Sequence, residues 1–173
     1  MIVLIGESGA GKDSILNELE KIGYKRAINY TTRAKRNNDA DQKNLVFITK
    51  QEFEKMWNNN KLANRAEFNN EFYGIASESL KEDGVAIAIT QSIKDIKEKI
   101  REQNLDVNLK CFYIFVSEEE RIKRMKNRGD SEENIEKRIE IDREKFKNAK
   151  EVVDYTIENI DLKEAVNNIR KLL

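Results

Sequence analysis

The chain has 173 residues, 39% hydrophobic and 37% charged, with 32 lysines and arginines against 32 aspartates and glutamates. That length fits one charged but core-forming domain, and a formal net charge of zero gives bulk electrostatics no reason to select nucleic acid or an anionic membrane. Histidine is absent and there is one cysteine, which excludes histidine triads, imidazole acid–base catalysis, the common zinc sites and an internal disulfide.

The opening MIVLI has no basic segment before it and is too short for a signal peptide or a membrane span, so a cytoplasmic location is expected. Its apolar run at 2–5 predicts a buried parallel strand. Ile15, Leu16, Leu19 and Ile22 then recur at helical spacing until Gly23. Between strand and helix stands GESGAGKDS, residues 6 to 14. Its glycines at 6, 9 and 11 let the backbone turn its N–H groups inward. Those groups, with the first turn of the helix, make an anion nest that Lys12 can complete. The hydroxyl expected after the lysine is replaced by Asp13 and arrives one position late, as Ser14. A carboxylate aimed at a triphosphate would repel it, so Asp13 is expected to point outward, where the helix dipole tolerates it. Ser14 is then the candidate to touch phosphate or orient Mg²⁺, held mostly through phosphates and water.

Residues 29–44 are polar, with little periodicity, and read as an exposed loop or a weak edge strand. LVFI at 45–48 predicts a strand, and Thr49 with Glu52 predicts a capping box opening the next helix. A small strand region is expected around 62–73, closed by Gly74. Alternation of strand and helix then resumes: VAIAI at 85–89, a helix over 92–102, and LKCFYIFV at 109–116, in which Cys111 is expected to be buried and inert. Ser117 caps EEERIKRM, Arg128-Gly129-Asp130 interrupts, and a charged helix runs to about 149. VVDYTI at 152–157 and a closing helix over 161–172 complete an α/β order with a mostly parallel sheet covered on both faces.

Arginine supplies a planar fork for phosphate oxygens. Arg33 and Arg36 lie three apart in YTTRAKR, and Arg121, Arg124, Arg128, Arg138 and Arg143 surround the glycine break. For Arg121 and Arg143 a solvated face is an equal reading. If the acceptor is a phosphate monoester, its oxygen is already an anionic nucleophile, and positioning with charge neutralisation suffices without histidine.

Four segments in this order resemble the guanylate kinases, P-loop nucleoside monophosphate kinases: GESGAGKDS, YTTRAKR with LVFITKQEF, EFNNEFYGI and RMKNRGDSEENIEKRI. The resemblance spans nearly the whole chain. It implies a P-loop NTP hydrolase fold with a core of 1–28 and 85–173, an inserted NMP-binding region at about 29–80 and a short lid at about 126–140. It implies ATP and Mg²⁺ as cosubstrate and cofactor, small-molecule partners rather than nucleic acid or membrane, and a monomer or homodimer. Gly6, Glu7, Ser8, Gly9, Ala10, Gly11, Lys12, Asp13 and Ser14 would hold ATP, with Arg124 a weaker match and Asn159 beside adenine. Arg33, Arg36 and Tyr73 would grip the acceptor phosphate, and Arg128 and Arg138 would close on the transferring group.

The departures from the family pattern cluster on the acceptor base: Asn29, Asp39, Leu45, Asn64 and Ile75 stand where serine, glutamate, tyrosine, glutamate and serine are usual. Thr90, Gln91 and Ser92 offer no clear match for an expected aspartate. An amide in place of a carboxylate gives one acceptor and an unwanted donor toward guanine. The expected activity is phosphorylation of GMP or dGMP. The alternatives are a kinase for another nucleotide or, because GKDS also resembles their loop, a ribose 1,5-bisphosphokinase; a binding module on the same fold; or an unrelated ATPase.

Overall fold

The computed structural model describes residues 1–35, 44–68 and 70–173. Its main sheet has five strands in the order β2-β7-β1-β8-β9, all parallel. They are β1 (Ile2–Ile5), β2 (Lys25–Arg26), β7 (Gly84–Ile87), β8 (Lys110–Phe115) and β9 (Tyr155–Glu158). β1 is central and wholly buried because both faces are covered. Met1, Val3 and Ile5 pack on one side with Ile93, Ile96 and Phe146, whereas Ile2 and Leu4 pack on the other with Ile15, Leu19 and Ile169. Alternation continues in β8, where Cys111 and Tyr113 join the first cluster and Phe112 and Ile114 the second. Each fully buried aliphatic side chain contributes roughly 1.5–3 kcal/mol. Cys111 is enclosed among them, and burial first, then Asp154, pushes its thiol up to about 12.

The helices are α1 (Lys12–Lys21), α3 (Ser92–Glu102), α4 (Glu118–Asn127), α5 (Glu132–Phe146), α6 (Ala149–Val152) and α7 (Leu162–Lys171), with α2 (Lys50–Asn58) in the middle of the chain. Thr49 and Glu52 form the predicted capping box on α2, and Ser117 caps α4 through the Glu120 N–H. The expected helix to 149 is divided: α5 stops at Phe146 and the short α6 follows. The last strand accordingly starts at Tyr155, since Val152 still belongs to α6. Among the described residues no helix is long and apolar enough to cross a membrane.

A second sheet, order β4-β3-β6-β5, is built from β3 (Asn29–Thr31), β4 (Leu45–Phe47), β5 (Ala66–Phe68) and β6 (Glu71–Ile75). β3 corrects the loop or weak-edge reading of its segment. It is an inner strand, parallel to β4 and antiparallel to β6. Three residues are too few to show a period, and its order comes from neighbours on both sides. The segment around 62–73 is a β5–β6 hairpin turning through Asn70 at φ 60. Gly74 lies inside β6 instead of closing it, because a Cβ there would come within 2.9 Å of the Asn64 carbonyl oxygen. β2 shows no period in two residues and is fixed by its pairing with β7.

Candidate active site

All five core strands point the same way, so the loop leaving β1 and the N-terminus of α1 lie at their carboxyl edge, where open α/β sheets place ligands. Gly9 and Gly11 have φ of 82° and 86°, a region side chains avoid. Space forbids a Cβ as well: at Gly9 it would sit 2.8 Å from the Arg121 carbonyl oxygen and at Gly11 2.5 Å from Asn159 Nδ2. Gly11 is also the N-cap of α1 and makes no side-chain cap. The N–H groups of the first helical turn therefore face outward as an anion site. Two loop amides are used internally: Ser8 N–H donates to Asp142 Oδ2 at 2.7 Å and Ala10 N–H to the Glu7 carbonyl at 3.2 Å.

Lys12 arches back over this loop, its Nζ donating to the carbonyls of Gly6 at 2.7 Å and Glu7 at 2.9 Å. Burial lowers its ammonium pKa, and the nearby carboxylates of Asp13, Asp142 and Glu7 oppose that. Glu7 is itself fixed by the Tyr113 hydroxyl, which donates to Oε1 at 2.7 Å. Asp13 points away from the loop, with 65% of its side chain exposed and a 3.9 Å approach to Arg26. Ser14 is exposed and borders a cavity.

Two cavities open over the loop. The first extends toward the small sheet past Asn29, Leu45, Tyr73 and Ile75; the second runs under α4 and α5 past Gly11, Ser14, Arg124, Arg128 and Asn159. Lys12, Arg33 and Arg138 line both. Three cations thus face the junction of two compartments. Arg33 Nη1 also donates to the Ala34 carbonyl at 2.9 Å, and its guanidinium lies 5.2 Å from the Phe47 ring centroid. Arg36 and Asp39 lie outside the described residues.

Asn64 and Asn29, the two amides at the first cavity expected to face the acceptor base, both bond to the protein itself. Asn64 is buried at 2% exposure; its Oδ1 accepts from the Ile75 N–H at 2.9 Å and its Nδ2 donates to Ser92 Oγ at 2.9 Å. Both ends of its carboxamide are therefore engaged in joining β6 to α3. Asn29 Nδ2 donates to the Ala27 carbonyl at 3.2 Å. Asn64→Ala is expected to destabilise the fold by about 1–3 kcal/mol in denaturant titration, since it orphans a buried N–H, with the ranking of acceptors unchanged.

At the second cavity, Arg124 donates to the Asn159 carbonyl at 2.8 Å and pairs with Glu120 at 3.1 Å. Asn159 is buried, its Nδ2 bracing the Ala10 carbonyl at 2.8 Å, and Ile160 beside it is 74% exposed at the second cavity. Arg128 pairs with Asp130 across the glycine break. Arg143 is exposed and paired with Glu118, whereas Arg121 is buried, so the solvated-face reading fits the first of these only. Sequence reading did not single out Asp142 or Ile160. The legible signal for Asp142 was its position: Ile135, Ile139, Asp142 and Phe146 form one buried stripe along α5, with a carboxylate where an apolar residue belongs.

Comparison with known proteins agrees with this geometry. The family model "Guanylate kinase" matches residues 1–173. A guanylate kinase of Mycoplasmoides gallisepticum is 32% identical over 180 residues, covering 100% of this chain and 91% of its own. One from Clostridioides difficile is 32% identical over 182 residues, covering 100% of this chain and 86% of its own. The crystal structure of guanylate kinase from Anaplasma phagocytophilum superposes with a TM-score of 0.76 at 22% identity, over 99% of this chain and 82% of that one, a likeness of fold.

Proposed function

The chain belongs to the guanylate kinase family, and we propose on that basis that it transfers the γ-phosphoryl group of ATP to GMP, releasing ADP and GDP. The observation that carries this reading is that Lys12, Arg33 and Arg138 each line both cavities, with Asp13 the one acidic residue common to them among the described residues. A single-substrate nucleotide hydrolase has no use for a second compartment meeting the first at a ridge of positive charge.

In this reading ATP lies in the second cavity, its phosphates against the first turn of α1 and Lys12, and GMP lies in the first, its phosphate against Arg33 and Tyr73. The GMP phosphate, with a second pKa of about 6, is an anion at pH 7. Its oxygen attacks the γ-phosphorus in line while the bond to the ADP oxygen breaks, and no side chain need remove a proton. The three cations offset the charge gathering on the transferred group, and their value rises as the compartments exclude water.

Among the described residues no cluster of three acidic, cysteine or histidine side chains could hold a metal. The donor that would hold Mg²⁺ is the exposed Ser14 hydroxyl at the second cavity, which suits an ion that brings phosphate and water as its other ligands. When bound, Mg²⁺ would neutralise phosphate charge.

A coupled ADP assay over GMP, dGMP, AMP, UMP, dTMP and ribose 1,5-bisphosphate tests the assignment. ADP formation that requires ATP, Mg²⁺ and GMP together is the expected result. Turnover independent of any acceptor, or confined to the sugar phosphate, would overturn it.

A further inference from the structure

Asp142 and Arg121 are buried, at 1% and 4% exposure, with Arg121 Nη1 3.5 Å from Asp142 Oδ2. They stand on α5 and α4, the two helices that flank the Arg128-Gly129-Asp130 break. Each also grips the phosphate loop at one residue: Ser8 N–H donates to Asp142 at 2.7 Å, and Arg121 donates to the Ser8 carbonyl at 3.4 Å. The arrangement is costly. Burial raises the Asp142 carboxyl above the usual range despite Ser8, Lys12 and Arg121, and Arg121 Nε is buried with no partner among the described residues. An apolar pair of equal volume commonly stabilises a core as well or better, so stability alone is a poor reason for this one.

The position of the pair supplies a better reason. Asp142 lies one helical turn beyond Arg138, on the same face of α5, and Ser8 lies four residues before Lys12. A bond from Asp142 to Ser8 therefore sets Arg138 relative to Lys12. The outer edge of the same hairpin root is strapped by Arg143 to Glu118 at 2.6 Å, while a Cβ on Gly129 at its tip would touch nothing within 4 Å.

We propose that Asp142 and Arg121 are positioning residues that fasten the phosphate loop to the root of the α4–α5 hairpin, so that the loop's anion site and Arg138 keep one geometry. The inference rests on the phosphotransferase reading. Arg121 lines neither cavity, and Asp142 borders the first beside Ser8, the residue it holds. The pair acts by holding Ser8 at both its N–H and its carbonyl, and so fixes the two consecutive peptide groups that flank it.

The test compares the parent with Asp142→Ala and with the doubly apolar Arg121→Met/Asp142→Leu. ATP and GMP binding are measured separately by calorimetry, kcat by ADP release, and stability by denaturant midpoint. Loss of positioning is expected to weaken ATP binding about tenfold and lower kcat about tenfold or more, with a clearly smaller change in GMP affinity. The double variant should keep at least the parent's denaturant midpoint and still show these losses. Parental ATP affinity and kcat in the double variant would overturn the proposal, as would equal losses for both substrates or a failure of both variants to fold, which would mark the pair as a stability device. A parent that binds ATP but phosphorylates no acceptor would defeat the kinase reading instead, and the ATP calorimetry would still decide whether the pair positions the loop.

Discussion

Lys12→Met is expected to leave a folded protein whose kcat for GDP formation is lower by about 10²- to 10³-fold, the usual cost of losing one preorganised charge at a transition state. The methionine keeps most of the unbranched stem and removes an ammonium that burial already disfavours. What is lost structurally is a pair of bonds to the Gly6 and Glu7 carbonyls, and Gly6 lines the first cavity. The melting temperature should therefore move by only a few degrees, on the order of 1 kcal/mol. Activity should fall far more than stability. Steady-state kinetics beside a thermal melt check this, and a kcat within tenfold of the parent would remove Lys12 from the transition state.

Arg138→Met should lower kcat by about 10³-fold, the lower range for an arginine that meets a transferring phosphoryl group. Arg124, Arg128 and Arg143 are each engaged by a carboxylate, from Glu120, Asp130 and Glu118. Arg138 instead opens into both cavities with Lys12 and Arg33. Its charge is best placed for the moment when the phosphoryl group lies between donor and acceptor, so ATP and GMP affinities should change only a few-fold. Calorimetry of each nucleotide alongside single-turnover rates separates the two effects. A loss confined to ATP affinity would make Arg138 a ground-state contact.

The core of the fold was legible because its signals are local. Four apolar residues before a glycine loop read naturally as a covered strand, and Thr49 with Glu52 closes a box within one turn of chain. The β1–loop–α1 unit and the parallel order follow from such features. β3 was not legible, since three polar residues become an inner strand only through β4 and β6. Asn64 shows the same limit at the level of the site: its amide could be aligned with a base-reading position, but its actual partners are the Ile75 N–H and the Ser92 hydroxyl, both distant in sequence. Arg121 and Asp142 lay hidden among the surface charges of helices in which about two thirds of the residues are charged. Their place on the buried stripes was the available clue, and their mutual pairing was not.

The parallel pairing of β3 with β4 has a consequence for the acceptor side. Two strands that run the same way cannot be joined by a tight turn, so the chain must travel back past the length of β3 before β4 can begin. In the sequence, Arg33 and Arg36 both fall between β3 and β4. Pruning that connection to a two-residue corner would force β4 to reverse direction and would remove Arg36 with the pruned chain. A minimum length for this connection is thus set by topology, and the two arginines proposed to grip the acceptor occupy chain that the fold had to lay anyway.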